Sequence, residues 1–206
     1  MNDASRRAHW DNVYATKGEK DVSWYQDNPT PSLELIALTG LSADAEIIDI
    51  GGGASRLVDN LLRNDFGRLT VLDLSNAALD AARKRLGESA ARVKWVVADV
   101  TTWQPSQTYD LWHDRAAFHF LTDQAPQSAY VEGLKTALKP AGFAIIGTFA
   151  PDGPGRCSGL PIVRYDATSL AARLGDEFEL IDARRHEHTT PWGAVQRFQF
   201  ATFRRH

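Results

Sequence analysis

Two acids and a group of glycines have the residue types and the spacing to bind a ligand that carries hydroxyl groups. Asp49 precedes Gly51 and Gly53, and Asp73 lies 20 positions after Gly53. Glycine lets the backbone leave a strand sharply and lets a ligand approach without a Cβ in the way. An acid at this distance is placed to accept hydrogen bonds from a ribose diol. The pattern therefore predicts a site for a ribose-containing ligand.

Apolar runs around these residues predict the elements that position them. The mainly apolar run 45–50 stops at the glycines, which predicts a buried strand, a tight turn and the start of a helix. A second apolar run ends at Asp73 and predicts the neighbouring strand. The free N–H groups at the start of the helix would point at the ligand. A dinucleotide fingerprint needs a small residue at position 56, where this chain has Arg56, so an NAD dehydrogenase is the outside alternative.

Three segments in this order resemble the class I S-adenosylmethionine-dependent methyltransferases: Asp-Ile-Gly-Gly-Gly at 49–53, Asp-Leu-Ser at 73–75 and Ala-Asp-Val at 98–100. The resemblance implies S-adenosyl-L-methionine as the cofactor and S-adenosyl-L-homocysteine as the product. It implies that Asp73 binds the ribose and that Asp99 meets the adenine amino group. The cofactor-binding residues that we expect are Asp49, Gly51, Gly53, Asp73, Leu74, Asp99, Val100, His113, Tyr14 and Trp10.

The same resemblance implies an α/β fold over the whole chain, 1–206, as one domain. We expect a doubly wound Rossmann-like core over 45–206, with a seven-stranded mostly parallel sheet, an antiparallel terminal strand and helices on both faces. The turn Leu-Lys-Pro-Ala-Gly at 138–142 resembles the family's entrance to its fifth strand, with Ala141 where a glycine is usual. Local patterns predict helices over 33–38 and 167–174, and strands over 109–113, 143–147, 178–184 and 195–203. Asp114 is expected to open a helical turn that brings Arg115 and His119 to one face.

Residues 1–28 form an N-terminal arm rich in aromatic residues. Trp10 and Tyr14 are four apart, on one face of a short predicted helix, and Trp24 and Tyr25 follow. Large aromatic side chains could simply pin the arm to the core. Alternatively the arm is a lid, since aromatic faces suit a cationic sulfonium. The family often has such a cap, which favours the lid for Tyr14 and Tyr25.

Methyl transfer from a sulfonium is an in-line displacement, so the protein must align a nucleophile and, where needed, remove a proton. The candidate catalytic residues are His119 and Tyr25. A thiolate or another anion that is already ionised near neutral pH would need no base. The residues that we expect to contact the substrate are Trp24, Arg115, Cys157 and Arg164.

Three functions remain open. The first is transfer to a small, anionic or thiol-like nucleophile, favoured because the arm and the Pro/Gly-rich loop 150–164 would enclose a pocket. The second is a protein lysine methyltransferase, which the Trp-Asp-x-x-Tyr pattern at 10–14 supports. The third is a cofactor-binding module without catalysis.

Composition limits the partners. A net charge of −3 and a pI near 6.1 give no basic footprint for nucleic-acid binding. No apolar run approaches a membrane span, and the single cysteine, Cys157, makes no internal disulfide, so we expect a cytoplasmic protein. His186 and His188 have no third ligand nearby, so we interpret them as a solvated strand edge and expect no metal. A monomer or weak homodimer is expected.

Overall fold

The computed structural model describes residues 3–206, so the first two residues of the predicted arm lie outside the described part. The strands in chain order are β1 (Glu46–Ile50), β2 (Arg68–Asp73), β3 (Val93–Val97), β4 (Tyr109–Arg115), β5 (Leu138–Phe149), β6 (Arg156–Cys157), β7 (Leu160–Pro161), β8 (Phe178–Thr189) and β9 (Val195–Arg205). The α-helices are α1 (Asp3–Thr16), α2 (Thr30–Leu38), α3 (Leu57–Arg63), α4 (Asn76–Leu86), α5 (Gln124–Ala137) and α6 (Ala167–Leu174).

Seven strands form the main sheet in the order β3-β2-β1-β4-β5-β9-β8. The first five pair in parallel, and β9 runs antiparallel to both of its neighbours. This arrangement confirms the predicted seven-stranded, mostly parallel sheet. Strand order changes direction between β1 and β4, and open α/β sheets bind ligands outside the carboxyl ends of the strands at such a switch point.

Helices cover both faces of the sheet, as predicted, because each face of the strands is apolar. One apolar cluster joins Trp112 to Tyr130 of α5 and Leu170 of α6. The other joins Leu111 to Leu35 of α2, and to Leu57 and Leu79 of α3 and α4. Side chains alternate between the faces of a strand, so His113 and Arg115 lie on the same face of β4 as Leu111.

The helical turn expected at Asp114 is wrong. Strand β4 continues to Arg115, which pairs with Gly147 of β5. The Asp114 carboxylate accepts hydrogen bonds from the N–H of Ala117 at 2.8 Å and from the Tyr130 hydroxyl at 2.7 Å. Strand pairing extends β4 past the predicted end, so Arg115 and His119 lie on different elements.

Other helix and strand boundaries differ from the predicted ones. Helix α2 begins at Thr30 rather than at 33, because proline is tolerated in the first turn of a helix. The hairpin of β6 and β7 lies inside the loop predicted at 150–164, and β8 runs five residues beyond the predicted end at 184, to Thr189. Helix α6 has the predicted bounds. None of the helices formed by residues 3–206 is long and apolar enough to cross a membrane.

Ala141 adopts a left-handed backbone conformation, with φ +62°. A Cβ makes this conformation unfavourable, whereas glycine adopts it readily. We expect Ala141→Gly to raise the free energy of unfolding by about 0.5 kcal/mol, since relief of strain exceeds the entropy that glycine adds to the unfolded chain. Urea denaturation would measure it. The control is Ala81→Gly in the exposed middle of α4, which should lose about 1 kcal/mol; an equal loss at both positions would contradict the prediction.

Candidate active site

A cavity opens at the carboxyl ends of the central strands, with an empty volume of about 1080 Å³ that is partly open to solvent. It lies at the switch point, and the sheet order divides its walls into two parts. The glycine end comes from the strands on the β1 side and includes Asp49, Gly51, Asp73, Leu74, Asp99 and Val100. The aromatic end comes from β4, β5, β9, the hairpin and the N-terminal segment, and includes Trp24, Arg115, Phe149, Cys157, Gln196 and Phe198.

Two features of the glycine loop require glycine: a left-handed backbone conformation and close contact with neighbouring groups. Gly51 has φ +64°, and a Cβ there would lie 2.8 Å from the Cβ of Ala117. Gly53 has φ +42°, and a Cβ there would lie 2.9 Å from the Asp73 carboxylate and from the Tyr14 hydroxyl. Any larger residue would therefore strain the loop and displace the groups that surround the cavity.

Asp73 ends β2 as predicted and is buried in the cavity wall. Its carboxylate accepts a hydrogen bond from the N–H of Ser75 at 2.8 Å. Burial raises the pKa of Asp73 to about 7, the negative charge of Asp49 adds to the rise, and N–H bonds from Ser75 and Gly53 oppose it. A carboxylate that is this poorly solvated gains strongly from hydroxyl donors that a ligand brings.

Asp99 follows β3 and is already hydrogen bonded. One oxygen accepts from the Arg6 guanidinium of α1 at 2.5 Å, and the other accepts from the N–H and the hydroxyl of Thr101 at 2.8 and 2.6 Å. A second bond holds α1 nearby, since the Ser75 hydroxyl donates to Asp11 at 2.6 Å. The N-terminal helix is therefore tied directly to the two segments that carry the predicted adenosine-binding acids.

His113 joins three elements beneath the glycine loop. Its Nδ1 donates to the Asp49 carboxylate at 2.7 Å, and its Nε2 lies 2.8 Å from the Ser32 hydroxyl of α2. His113 and Ser32 are almost completely buried. Both ring nitrogens thus have partners, so His113 positions Asp49 at the cavity wall.

We expect His113→Leu to lower the free energy of unfolding by about 3 kcal/mol, because it leaves a buried carboxylate without its donor. Ser32→Ala is the matched variant, since it removes only the distal hydrogen bond and should lose about 1 kcal/mol. Urea denaturation would measure both. Equal losses in the two variants would show that Asp49 does not depend on His113.

Arg115 brings a positive charge to the aromatic end. Its Nη1 donates to the Trp24 carbonyl at 3.1 Å and to the Gln26 side-chain oxygen at 2.5 Å. Within residues 3–206 no carboxylate forms an ion pair with it. Burial lowers the pKa of Arg115, and nearby Asp49 raises it. A guanidinium with free donors beside a cavity suits a carboxylate or another oxyanion.

Aromatic rings enclose this end of the cavity. The ring of Trp10 lies edge-on to the rings of Phe120 and Trp24, at 5.1 and 5.8 Å between centroids, and Phe149 packs on Phe198 at 4.8 Å. The Cys157 thiol lies in the same wall, and burial raises its pKa to about 12. The thiol is therefore neutral at physiological pH and contributes an apolar surface.

Four expected site residues do not line the cavity. Gly53 follows Gly51 and Gly52 of the lining in the glycine loop, and the other three lie farther away. His119 is buried behind Phe120, its Nδ1 accepts from the Phe149 N–H at 3.4 Å, and burial lowers its pKa to about 3. The Tyr25 hydroxyl donates to Asp27 at 3.2 Å in a separate surface depression. The Arg164 guanidinium donates to the Gly153 carbonyl at 3.3 Å on the surface. These positions follow from the longer β4 and from loop contacts that are made locally.

The residues that sequence reasoning missed include Arg6, Gln26, Ser32 and Gln196, and also Phe149 and Phe198 of the aromatic end. A signal for Arg6 existed, because positions 6, 10 and 14 share one helix face with Trp10 and Tyr14. The others depend on packing between distant segments. The interpretation of His188 as a solvated edge residue is wrong, since it is 5% exposed and its Nε2 donates to the Ser23 carbonyl at 2.6 Å. No group of three or more His, Cys, Asp or Glu side chains within residues 3–206 is arranged to hold a metal.

Comparison with known proteins agrees with this geometry. Residues 47–142 match the family model described as a methyltransferase domain. The chain is 31% identical over 126 residues to trans-aconitate 2-methyltransferase of Paracidovorax citrulli, covering 59% of this chain and 46% of that protein. It spans about half the length or less of the curated relatives that it matches first.

Two solved structures share the fold over nearly the whole chain. The N-methyltransferase NodS from Bradyrhizobium japonicum, in complex with S-adenosyl-L-homocysteine, superposes with a TM-score of 0.74 at 16% identity and covers 97% of each chain. The 1,6-didemethyltoxoflavin-N1-methyltransferase of Burkholderia thailandensis, with 1,6-didemethyltoxoflavin and S-adenosylhomocysteine bound, superposes with a TM-score of 0.70 at 22% identity, covering 98% of this chain and 84% of the other. The chain therefore shares its fold with these two methyltransferases, and its residues 47–142 match a methyltransferase domain.

Proposed function

We propose that this protein transfers a methyl group from S-adenosylmethionine to a small acceptor with an anionic or thiol-like nucleophile, by in-line displacement. One observation carries the proposal. A single cavity has buried acids and a glycine loop at one end, and at the other end a guanidinium that has no carboxylate partner within residues 3–206. A cofactor and an acceptor bound at these two ends would meet near the switch point.

The residues of the glycine end fit the parts of the cofactor. Asp73 would accept hydrogen bonds from the ribose hydroxyls, and Asp99 would accept one from the adenine amino group. Leu74 and Val100 offer apolar contacts to the adenine ring. Gly51 leaves room for the methionine part, and Asp49 supplies a carboxylate for its ammonium group. The cofactor supplies the electrophilic methyl group, and the protein binds and orients it.

Among residues 3–206, the aromatic end contains no side chain that could remove a proton near neutral pH. Burial raises the pKa of the Cys157 thiol to about 12, so it stays protonated near neutral pH, and His119 lies behind the wall. Burial and nearby Asp73 raise the pKa of Tyr14, so its phenol also stays protonated. A nucleophile that is already an anion needs no base. We therefore assign the acceptor atom to a carboxylate or a thiolate, and not to an alcohol.

The N-terminal segment is proposed to close over both ligands. Trp10 and Tyr14 of α1 and Trp24 form part of the cavity wall, and α1 is held down by the pair of Arg6 and Asp99. Exclusion of water strengthens the electrostatic interactions inside a closed site. A covered cavity suits a small acceptor better than a protein, which needs an open approach.

Removal of the ion pair between α1 and Asp99 should weaken this closure. We expect Arg6→Gln to speed dissociation of S-adenosylhomocysteine about 10-fold, because a charge-assisted bond of roughly 1.5 kcal/mol is lost. Arg7→Gln is the control, since Arg7 carries the same charge on the exposed side of α1. Stopped-flow fluorescence would measure the rates. Equal dissociation rates in the two variants would show that the pair of Arg6 and Asp99 does not hold α1 over the ligand.

The proposed function is tested with labelled S-adenosylmethionine and, in parallel, small carboxylates, thiols, amines and a whole-cell protein extract. Methyl transfer to a small carboxylate or thiol is the expected result. Label on a protein band with all small acceptors silent would favour a protein lysine methyltransferase. Calorimetric binding of the cofactor with no transfer to any acceptor would favour a cofactor-binding module.

A further inference from the structure

We infer that the acceptor is a planar, largely apolar molecule with one acidic group and one hydrogen-bond donor, such as an aromatic hydroxy acid. The inference rests on the proposed function and extends it to a substrate class. It follows from matching the groups of the aromatic end with what a bound molecule must supply.

The aromatic end has one positive charge to offer. Among the described residues that line it, Arg115 is the only cation, and its Nε and Nη2 have no protein hydrogen bonds. Arg6 lines the cavity at the opposite end, where it pairs with Asp99. Both nitrogens of His113 are occupied. The free edge of one guanidinium can bind one carboxylate through two parallel hydrogen bonds, so a second acidic group would be buried without a partner.

The rest of the aromatic end is apolar and suits a ligand with a flat apolar ring. Trp24, Phe149 and Phe198 present rings to the cavity, and Cys157 adds a neutral thiol. The Phe149 and Phe198 rings are set at 66° to each other, which leaves both an edge and a face for a further ring. Charged or strongly hydrated groups placed against these walls would lose their water without replacement.

Among the described residues that line the cavity, one buried side-chain acceptor, the Gln196 oxygen, has no hydrogen-bond donor within residues 3–206. The Gln196 side-chain oxygen is shielded from solvent and accepts no hydrogen bond from the described part of the chain. Gln196 lies on the same face of β9 as Phe198, two positions away, and both line the cavity. A buried oxygen without a donor is unfavourable, so a ligand hydroxyl or N–H that reaches it would be selected.

The groups of the aromatic end should favour aromatic monocarboxylates over tricarboxylates. A hydroxybenzoate would satisfy Arg115, the rings and Gln196 together. A tricarboxylate such as citrate or trans-aconitate would place two further carboxylates where no cation faces them. Buried unpaired charges are among the most unfavourable features of any site, so these acids should bind poorly.

The experiment uses the whole protein saturated with S-adenosylhomocysteine, and ligand binding is followed by the fluorescence of the tryptophans that line the cavity. The ligands are benzoate, 3-hydroxybenzoate, 4-hydroxybenzoate, citrate and trans-aconitate. At least one of the substituted benzoates is expected to bind about 100-fold more tightly than either tricarboxylate. Equal or tighter binding of a tricarboxylate would overturn the inference.

The variant Gln196→Leu tests the donor requirement. It should weaken binding of the preferred hydroxybenzoate about 10-fold and leave benzoate within about 2-fold. Gln124→Leu, at an exposed position at the start of α5, is the control and should change neither. Melting temperatures would show that both variants fold. If the ratio of the affinities for the preferred hydroxybenzoate and for benzoate is the same in Gln196→Leu and in wild type, the inference is wrong.

Methyl transfer separates this inference from the function on which it rests. With labelled cofactor, transfer to trans-aconitate and not to any aromatic acid would reject the inference and keep the proposed function. Tight binding of a hydroxybenzoate with no transfer to any compound would reject the proposed function and keep the binding specificity.

Discussion

Asp73→Ala is expected to lower the affinity for S-adenosylmethionine about 30-fold. Loss of a carboxylate that accepts from two ribose hydroxyls removes roughly 2 kcal/mol, the range for hydrogen bonds to a charged group. In the ligand-free protein Asp73 is buried with few donors, so the ligand replaces hydration that the carboxylate has already lost. Calorimetry with S-adenosylhomocysteine would measure the change.

The control for this variant is Asp80→Ala. Asp80 is an exposed acid of α4 that pairs with Arg83 on the helix surface, so its loss changes the net charge equally. Cofactor affinity should stay within about 2-fold of wild type, because exposed ion pairs contribute little. An Asp73→Ala protein that is folded and binds the cofactor as tightly as wild type would remove Asp73 from the site.

The raised pKa of Asp73 adds a test of stability. Between the ordinary pKa of 3.8 and the folded value of about 7, the folded protein keeps a proton that the unfolded chain has released. This group therefore makes the free energy of unfolding fall as pH rises through that window. Asp73→Asn should melt higher than wild type at pH 8 without ligand, and the difference should vanish near pH 4. His119, whose pKa is lowered, has the opposite trend but is present in both proteins.

Arg115→Gln is expected to reduce kcat/KM for an anionic acceptor about 100-fold or more. Removal of one partner from a buried, hydrogen-bonded charge pair typically loses 2–5 kcal/mol, because the other charge stays buried without compensation. Affinity for S-adenosylhomocysteine should change less than about 3-fold. Initial rates at several acceptor concentrations, with the cofactor saturating, would give the result.

Two variants separate this role from alternatives. Arg164→Gln removes the same charge from the loop 150–164 that was predicted to enclose the pocket. We expect no change in kcat/KM, because the Arg164 side chain lies outside the cavity. Gln26→Leu removes the hydrogen bond to Arg115 but keeps the charge. If Gln26→Leu were as inactive as Arg115→Gln, Arg115 would act by holding the N-terminal segment and not by binding the acceptor.

The glycine end could be predicted from the sequence because its features are local. A strand, a turn and a helix start follow one another along 46–57, and the left-handed conformations of Gly51 and Gly53 need residues without a Cβ. The acids Asp73 and Asp99 follow neighbouring parallel strands, whose carboxyl ends meet at one edge of the sheet. Sequence spacing along each segment is enough to place these groups.

The aromatic end could not be predicted to the same extent. The error at Asp114 shows why: residues 109–117 have no local signal for the end of the strand, and pairing with β5 decides that β4 continues to Arg115. This longer strand aims Arg115 at the cavity and leaves His119 in the core behind Phe120. His119 is therefore no longer a candidate base, and Arg115 remains a candidate for binding the acceptor.

By itself, the sequence determined the α/β fold, the glycine loop and the order of the acids, because hydrophobic period and turn chemistry act over a few neighbouring residues. Tertiary structure alone decided which distant groups meet. Arg6 reaches Asp99 across 93 positions, Arg115 reaches Trp24 across 91, and His113 reaches Ser32 across 81. Such pairs depend on how α1, α2 and the segment between them pack on the sheet, and no local pattern along the chain encodes that packing.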